Sequence, residues 1–127
     1  MSKSRPYDVV LYGASGFVGR QTVAYFAAHG GGLRWALAGR NRDKLEAARQ
    51  AAGPGAAHAG IVVADAADAR ALAALAGDTR VVLSTAGAFA LFGSDLVAAC
   101  VAQRTHYVDI TGEAPWVRGL IDRHHAQ

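Results

Sequence analysis

Gly13-Ala-Ser-Gly16-Phe-Val-Gly19 decides how this chain folds. The three glycines are spaced G-x-x-G-x-x-G. They follow directly on Tyr7-Asp-Val-Val-Leu-Tyr12, a run of β-branched and aromatic residues that reads as a strand. Behind them Phe17 to about His29 reads as a helix, with Phe17, Val18, Val23, Phe26 and Ala27 as its apolar face and Gly30-Gly-Gly32 as its stop. A glycine turn between a strand and a helix is the context in which such spacing holds a phosphate-bearing ligand. Gly13 allows a sharp exit from the strand, Gly16 lets backbone approach a diphosphate, and Gly19 lets the helix lie against the strands. The helix start aims unpaired N–H groups and the positive end of its dipole at the same place.

Outward from this turn the pattern repeats. Leu33 to Ala38 reads as a strand, and Asn41 to about Ala52 as a helix with Asn41 as its N-cap. Gly53-Pro-Gly55 and a loop to Gly60 follow. Ile61–Ala64 is a strand, Asp68–Ala76 a helix with an acidic cap, Arg80–Ser84 a strand and Ser94 to about Gln103 a helix. His106–Ile110 and Ala114–His125 give the last strand and helix. The strands are nearly continuous in Val, Ile and Leu, as in a parallel sheet covered on both faces. Such a series predicts a doubly wound α/β (Rossmann) sheet of at least five strands in order 3-2-1-4-5, with the ligand at the switch between the first and fourth strands.

Composition agrees with one domain. The chain has 127 residues, 52% hydrophobic and 18% charged, enough for a single core and not for two. No apolar run approaches the roughly twenty residues of a membrane span, and the polar start is no signal peptide. A net charge of +3 without a basic, aromatic-interleaved stripe speaks against a nucleic-acid partner. Cys100 has no partner for a disulfide and reads as a small core residue, so a cytoplasmic protein is expected. The five histidines lack ligand spacing, and no metal site is expected. Residues 1–127 thus read as one dinucleotide-binding domain. Because a six-stranded sheet of this kind needs a further strand, the chain is expected to be a fragment whose C-terminal substrate domain is absent.

The second strand's end chooses the nucleotide. An NAD site places Asp or Glu there for the ribose 2′-hydroxyl, whereas this chain has Ala38-Gly39-Arg40-Asn41-Arg42. Cations at a helix start are mildly unfavourable, and a guanidinium fork suits a 2′-phosphate, so NADP(H) is expected over NAD(H). The expected cofactor-binding residues are Gly13, Ala14, Ser15, Gly16, Phe17, Val18, Gly19, Arg40, Asn41, Arg42, Asp65, Ser84, Thr85, Ala86 and Gly87. Asp65 either bonds the adenine amino group or only caps its loop. Ser84-Thr-Ala-Gly87 brings backbone to the nicotinamide-side ribose. In Asp109-Ile-Thr-Gly-Glu113 the carboxylates orient a substrate or cap the last helix, and capping is expected of Glu113.

With these motifs in place, the chain resembles the N-terminal nucleotide-binding domain of the saccharopine dehydrogenase-like oxidoreductases. The likeness rests on Gly13–Arg20, Ala38–Asn41, Ser84–Gly93 and Tyr107-Val-Asp-Ile-Thr-Gly-Glu113. The last block is the most distinctive, since a generic domain of this fold has no reason to carry it. The resemblance implies a second, mixed α/β domain for substrate and oligomer contacts, with a homodimer as one possible assembly. It also implies a later segment that completes the first sheet. It is shared by enzymes of lysine and polyamine metabolism and by trans-acting enoyl reductases, so the substrate stays unidentified. Many relatives have Pro where Ala88 stands and Tyr where Phe92 stands, which puts catalytic use of that block in doubt.

The implied activity is hydride transfer to or from a C=N, C=O or activated C=C bond. No catalytic residue can be named in this stretch, and the isolated segment is expected to bind without turning over. A non-catalytic nucleotide sensor is the alternative. A short-chain dehydrogenase is excluded, because no tyrosine here is followed by lysine four residues on.

Overall fold

The computed structural model describes residues 4–87, 93–110 and 113–125. Its strands are β1 (Tyr7–Tyr12), β2 (Trp35–Gly39), β3 (Gly60–Val63), β4 (Thr79–Ser84) and β5 (His106–Asp109). Between and after them lie α1 (Phe17–His29), α2 (Arg42–Ala51), α3 (Ala69–Gly77), α4 (Ser94–Ala102) and α5 (Ala114–His124). All strand pairs are parallel, in the order β3-β2-β1-β4-β5. This is the expected doubly wound sheet, with its switch between β1 and β4.

Alternation along β1 sends side chains to two cores. Val10 and Tyr12 join Ala36, Ala38, Val82, Leu72, Leu75, Leu96 and Cys100, which places α3 and α4 on that face. Leu11 joins Leu37, Trp35, Val23, Leu45 and Ala48, under α1 and α2. Each fully buried leucine or valine contributes about 1.5–3 kcal/mol by leaving water. Cys100 is buried as expected, and burial pushes its thiol up to about 12.

Element ends differ from expectation where local contacts override propensity. Leu33 and Arg34 precede β2. The Leu33 N–H closes the glycine turn on the Gly30 carbonyl, and Arg34 pairs with Asp8. Part of the expected loop before β3 is a 3-10 turn, Pro54–Ala56. Phe17 and Val18, expected on the packed face of α1, are 73% and 38% exposed. Within α1 only Gly19 and Val23 are buried. Among the described residues no helix is long and apolar enough to cross a membrane.

Candidate functional site

A cleft of about 930 Å³ lies at the carboxyl ends of the strands, across the β1/β4 switch. That is a size typical of cofactor sites. The glycine turn forms its centre. Gly13 has φ +82°, and a methyl group there would lie 2.9 Å from the Ala86 amide nitrogen. At Gly19 a methyl group would run into the Gly13 carbonyl oxygen and come within 2.8 Å of Ala14 Cα, so only glycine lets α1 sit this close. Gly16 differs. Its backbone is ordinary (φ −75°), and a methyl group would meet nothing closer than the Gly13 oxygen at 3.5 Å.

The turn also leaves α1 uncapped. Asn41 accepts a hydrogen bond from the Lys44 N–H to cap α2, and Asp68 does the same from Ala71 for α3. The Gly16 cap of α1 has no side-chain bond, and its first turn holds no acid. Gly16, Phe17 and Val18 border the cleft, and among the described residues no side chain caps the opening amides of α1.

On the β2/β3 side the wall is Gly39, Arg40 and Asp65–Ala67. Arg40 is exposed and forms no ion pair with the described residues. One Asp65 oxygen accepts the Ala67 N–H at 2.9 Å, the loop bond the sequence allowed. Beneath them the buried Tyr12 hydroxyl donates to the Ala64 carbonyl at 2.9 Å. Burial, and next the Asp65 charge, push this phenol up to about 12 while Arg40 opposes them. On the β4/β5 side the wall is Thr85–Gly87, Ser94, Asp95 and Ile110. Thr85 bonds β1 through its N–H to the Tyr12 carbonyl, at 2.9 Å.

Of the expected site residues, Gly13, Ser15, Gly16, Phe17, Val18, Arg40, Asp65 and Thr85–Gly87 border the cleft. Ala14 and Gly19 are buried behind it. Asn41 is committed to its cap, and Arg42 reaches Glu46 at 3.9 Å along α2; neither borders the cleft. Ser84 is 2% exposed, with its hydroxyl oxygen accepting the Ala86 N–H at 3.3 Å. Glu113 occupies the cap position of α5, yet its carboxylate makes no capping bond, which corrects that expectation. Such a bond needs a short side chain turned back over the first turn. Ala88, Phe92, Thr111 and Gly112 lie outside the described residues. Tyr12, Gly39, Ala66, Ala67, Ser94, Asp95 and Ile110 also line the cleft, although none was among the expected cofactor-binding residues. All except Ser94 and Asp95 sit at or just after strand ends, a signal available once the strand bounds are known.

The family model described as "Saccharopine dehydrogenase NADP binding domain" matches residues 9–127. A protein of Mycobacterium leprae named trans-acting enoyl reductase is 44% identical over 123 residues. One of the same name from Mycobacterium tuberculosis is 43% identical, and another from that organism, given the name provisionally, is 46% identical. Each alignment covers 97% of this chain and 29% of the relative, so the chain spans under a third of their length. Among solved structures, apo saccharopine dehydrogenase (L-Glu forming) from Saccharomyces cerevisiae superposes with TM-score 0.74 at 24% identity, over 90% of this chain and 24% of that one. A short-chain dehydrogenase/reductase of Veillonella parvula in complex with NADP gives TM-score 0.66 at 13% identity, over 85% and 49%. These two likenesses concern the fold. The family match covers nearly the whole chain, and the chain belongs to the saccharopine dehydrogenase NADP binding domain family.

Proposed function

We propose that this chain is the NADP(H)-holding part of an oxidoreductase that moves hydride to or from a C=N, C=O or activated C=C bond of a small-molecule substrate. The names of its curated relatives favour the activated C=C bond. The bound dinucleotide supplies the redox chemistry, and the protein supplies binding, orientation and electrostatics.

The observation that carries this reading is Gly16. No described residue demands a glycine there, whereas a diphosphate lying against the uncapped start of α1 does. The rest of the cleft fits the same ligand. In this reading Arg40 pairs with the 2′-phosphate as a charge-assisted fork. Asp65, on the loop held by Tyr12, borders the adenine. Thr85, Ala86 and Gly87 back the nicotinamide-side ribose, with the exposed Phe17, Val18 and Ile110 as apolar surface near that end. Ala14, Gly19 and Ser84 act from behind, by shaping the backbone.

The test uses the full-length protein that contains this chain, with NADPH absorbance followed against an imine, a ketone and an enoyl thioester. Turnover of one class supports the oxidoreductase. Tight NADPH binding with no turnover of any would replace it with a nucleotide sensor.

A further inference from the structure

The proposed function leaves the most distinctive block of the sequence, Tyr107 to Glu113, without a role. The structure puts its tyrosine in an unusual place. Ser84 and Asp109 are register partners at the carboxyl ends of β4 and β5, one residue row beyond Val82 and Tyr107 on the same sheet face. The Tyr107 hydroxyl donates to Asp109 Oδ2 at 2.8 Å, and Asp109 stands beside Ser84 in the next row of the sheet. Ser84 in turn accepts the Ala86 N–H, and Ala86 borders the cleft against Gly13. Asp109 precedes Ile110, which borders the cleft on the same side. The Tyr107 ring packs both on the main core and on the small cluster of Val97 and Trp116, so its position is set from two sides.

A half-buried phenol needs a partner for its O–H, and any nearby carbonyl would serve. Here the acceptor is the side chain from which the loop after β5 departs, and its register partner Ser84 opens the loop after β4. We infer that Tyr107 is a positioning residue: its hydroxyl fixes Asp109 beside Ser84 and so holds Ile110 and Ala86 where the nicotinamide half of the cofactor lies. This rests on the proposed placement of NADP(H) in the cleft. A hydrogen bond to a carboxylate is stronger than one between neutral groups. The far wall, with Arg40 and Asp65, hangs from β2 and β3 and does not share this bond.

The two halves of the ligand therefore separate the effects. Calorimetric titrations of the 127-residue chain would compare NADPH with adenosine 2′,5′-bisphosphate, which carries only the adenine half. Tyr107→Phe keeps the ring and removes the hydroxyl. It is expected to weaken NADPH about fivefold, and to leave the bisphosphate within about twofold of the parent protein. A general loss of structure would weaken both alike, and that result, or no change in either, overturns the inference. Should Tyr107→Phe fail to fold, Asp109→Asn removes the acceptor's charge with its shape kept, and the same split is required of it. If the parent protein binds NADPH and neither variant shows the split, only this inference falls. If folded parent protein binds neither ligand, the proposed function falls with it.

Discussion

Gly13 and Ala86 meet across the switch point: a methyl group on Gly13 would stand 2.9 Å from the Ala86 nitrogen and 3.0 Å from its Cα and Cβ. The loop after β1 thus leans on the loop after β4, and the two backbones pack directly against each other beside the cleft. At φ +82° a side chain is strained even without this neighbour. Gly13→Ala is expected to cost about 2–4 kcal/mol of stability. Gly16→Ala, a chemically identical change three residues on, is expected to stay within about 0.5 kcal/mol, yet to weaken NADPH by about tenfold or more. Denaturant melts and binding titrations on the pair check this. Equal stability losses would mean that Gly16 serves the fold instead of the ligand.

In the proposed reading Arg40 carries the choice between nucleotides. It stands exposed on the cleft wall, whereas Arg42 is turned along α2 toward Glu46. Arg40→Ala is expected to weaken NADPH about 10- to 100-fold, with NADH changed by no more than about twofold. Arg42→Ala is expected to change neither appreciably. Equal losses of both nucleotides in Arg40→Ala would remove it from the 2′-phosphate.

Arg5 has a structural role that the chain's order conceals. Its guanidinium donates to the carbonyls of Thr79 at 2.6 Å, Ala76 at 3.3 Å and Gln103 at 2.7 Å, and to the Thr105 hydroxyl at 2.7 Å. One cation thereby ties the ends of α3 and α4 to the start of β4, favourably for both helix dipoles. Arg5→Ala is expected to destabilise the protein by about 2–3 kcal/mol, measured by denaturant unfolding. Arg5→Lys is expected to recover only part of it, since an ammonium lacks the fork. A change inside about 0.5 kcal/mol for Arg5→Ala would show the cluster to be idle.

Much of this fold was legible because its signals are local. β1 runs from Tyr7 to Tyr12 and α1 from Phe17 to His29 as read, since a β-branched run and a glycine stop act within a few residues. Asn41 and Asp68 cap their helices as short polar side chains at helix starts do. What escaped depends on distance. Arg5 and Thr105 are 100 residues apart, and no window of sequence joins them. Phe17 and Val18 have the period of a packed face, but burial in α1 begins only at Gly19. Within the cleft, the glycine turn was visible because a side chain at Gly13 or Gly19 would collide with backbone. Tyr12 was hidden, because what brings it to the cleft is where its strand ends.

The buried Cys100 and Tyr12 and the half-buried Tyr107 are expected to set the alkaline limit of the fold. Burial raises the Cys100 thiol from 9.0 to about 12 and the Tyr12 phenol from 10.0 to about 12, and raises Tyr107 also, where the bond to Asp109 adds to it. A raised folded value means that the unfolded chain loses these protons first. The stabilisation is complete below pH 9.0 and is lost as pH climbs toward 12. The melting temperature should fall across that window, and the native tyrosinate absorbance should develop later than in denaturant. A native titration coinciding with the unfolded one would contradict the burial of Tyr12 and Tyr107.

Calorimetric titration of the folded chain with NADPH, and separately with NADH, addresses the central claim most directly. The account predicts a single saturable site for NADPH and binding of NADH at least about tenfold weaker. Well-folded protein that takes up neither nucleotide, with no rise in melting temperature in their presence, would contradict it.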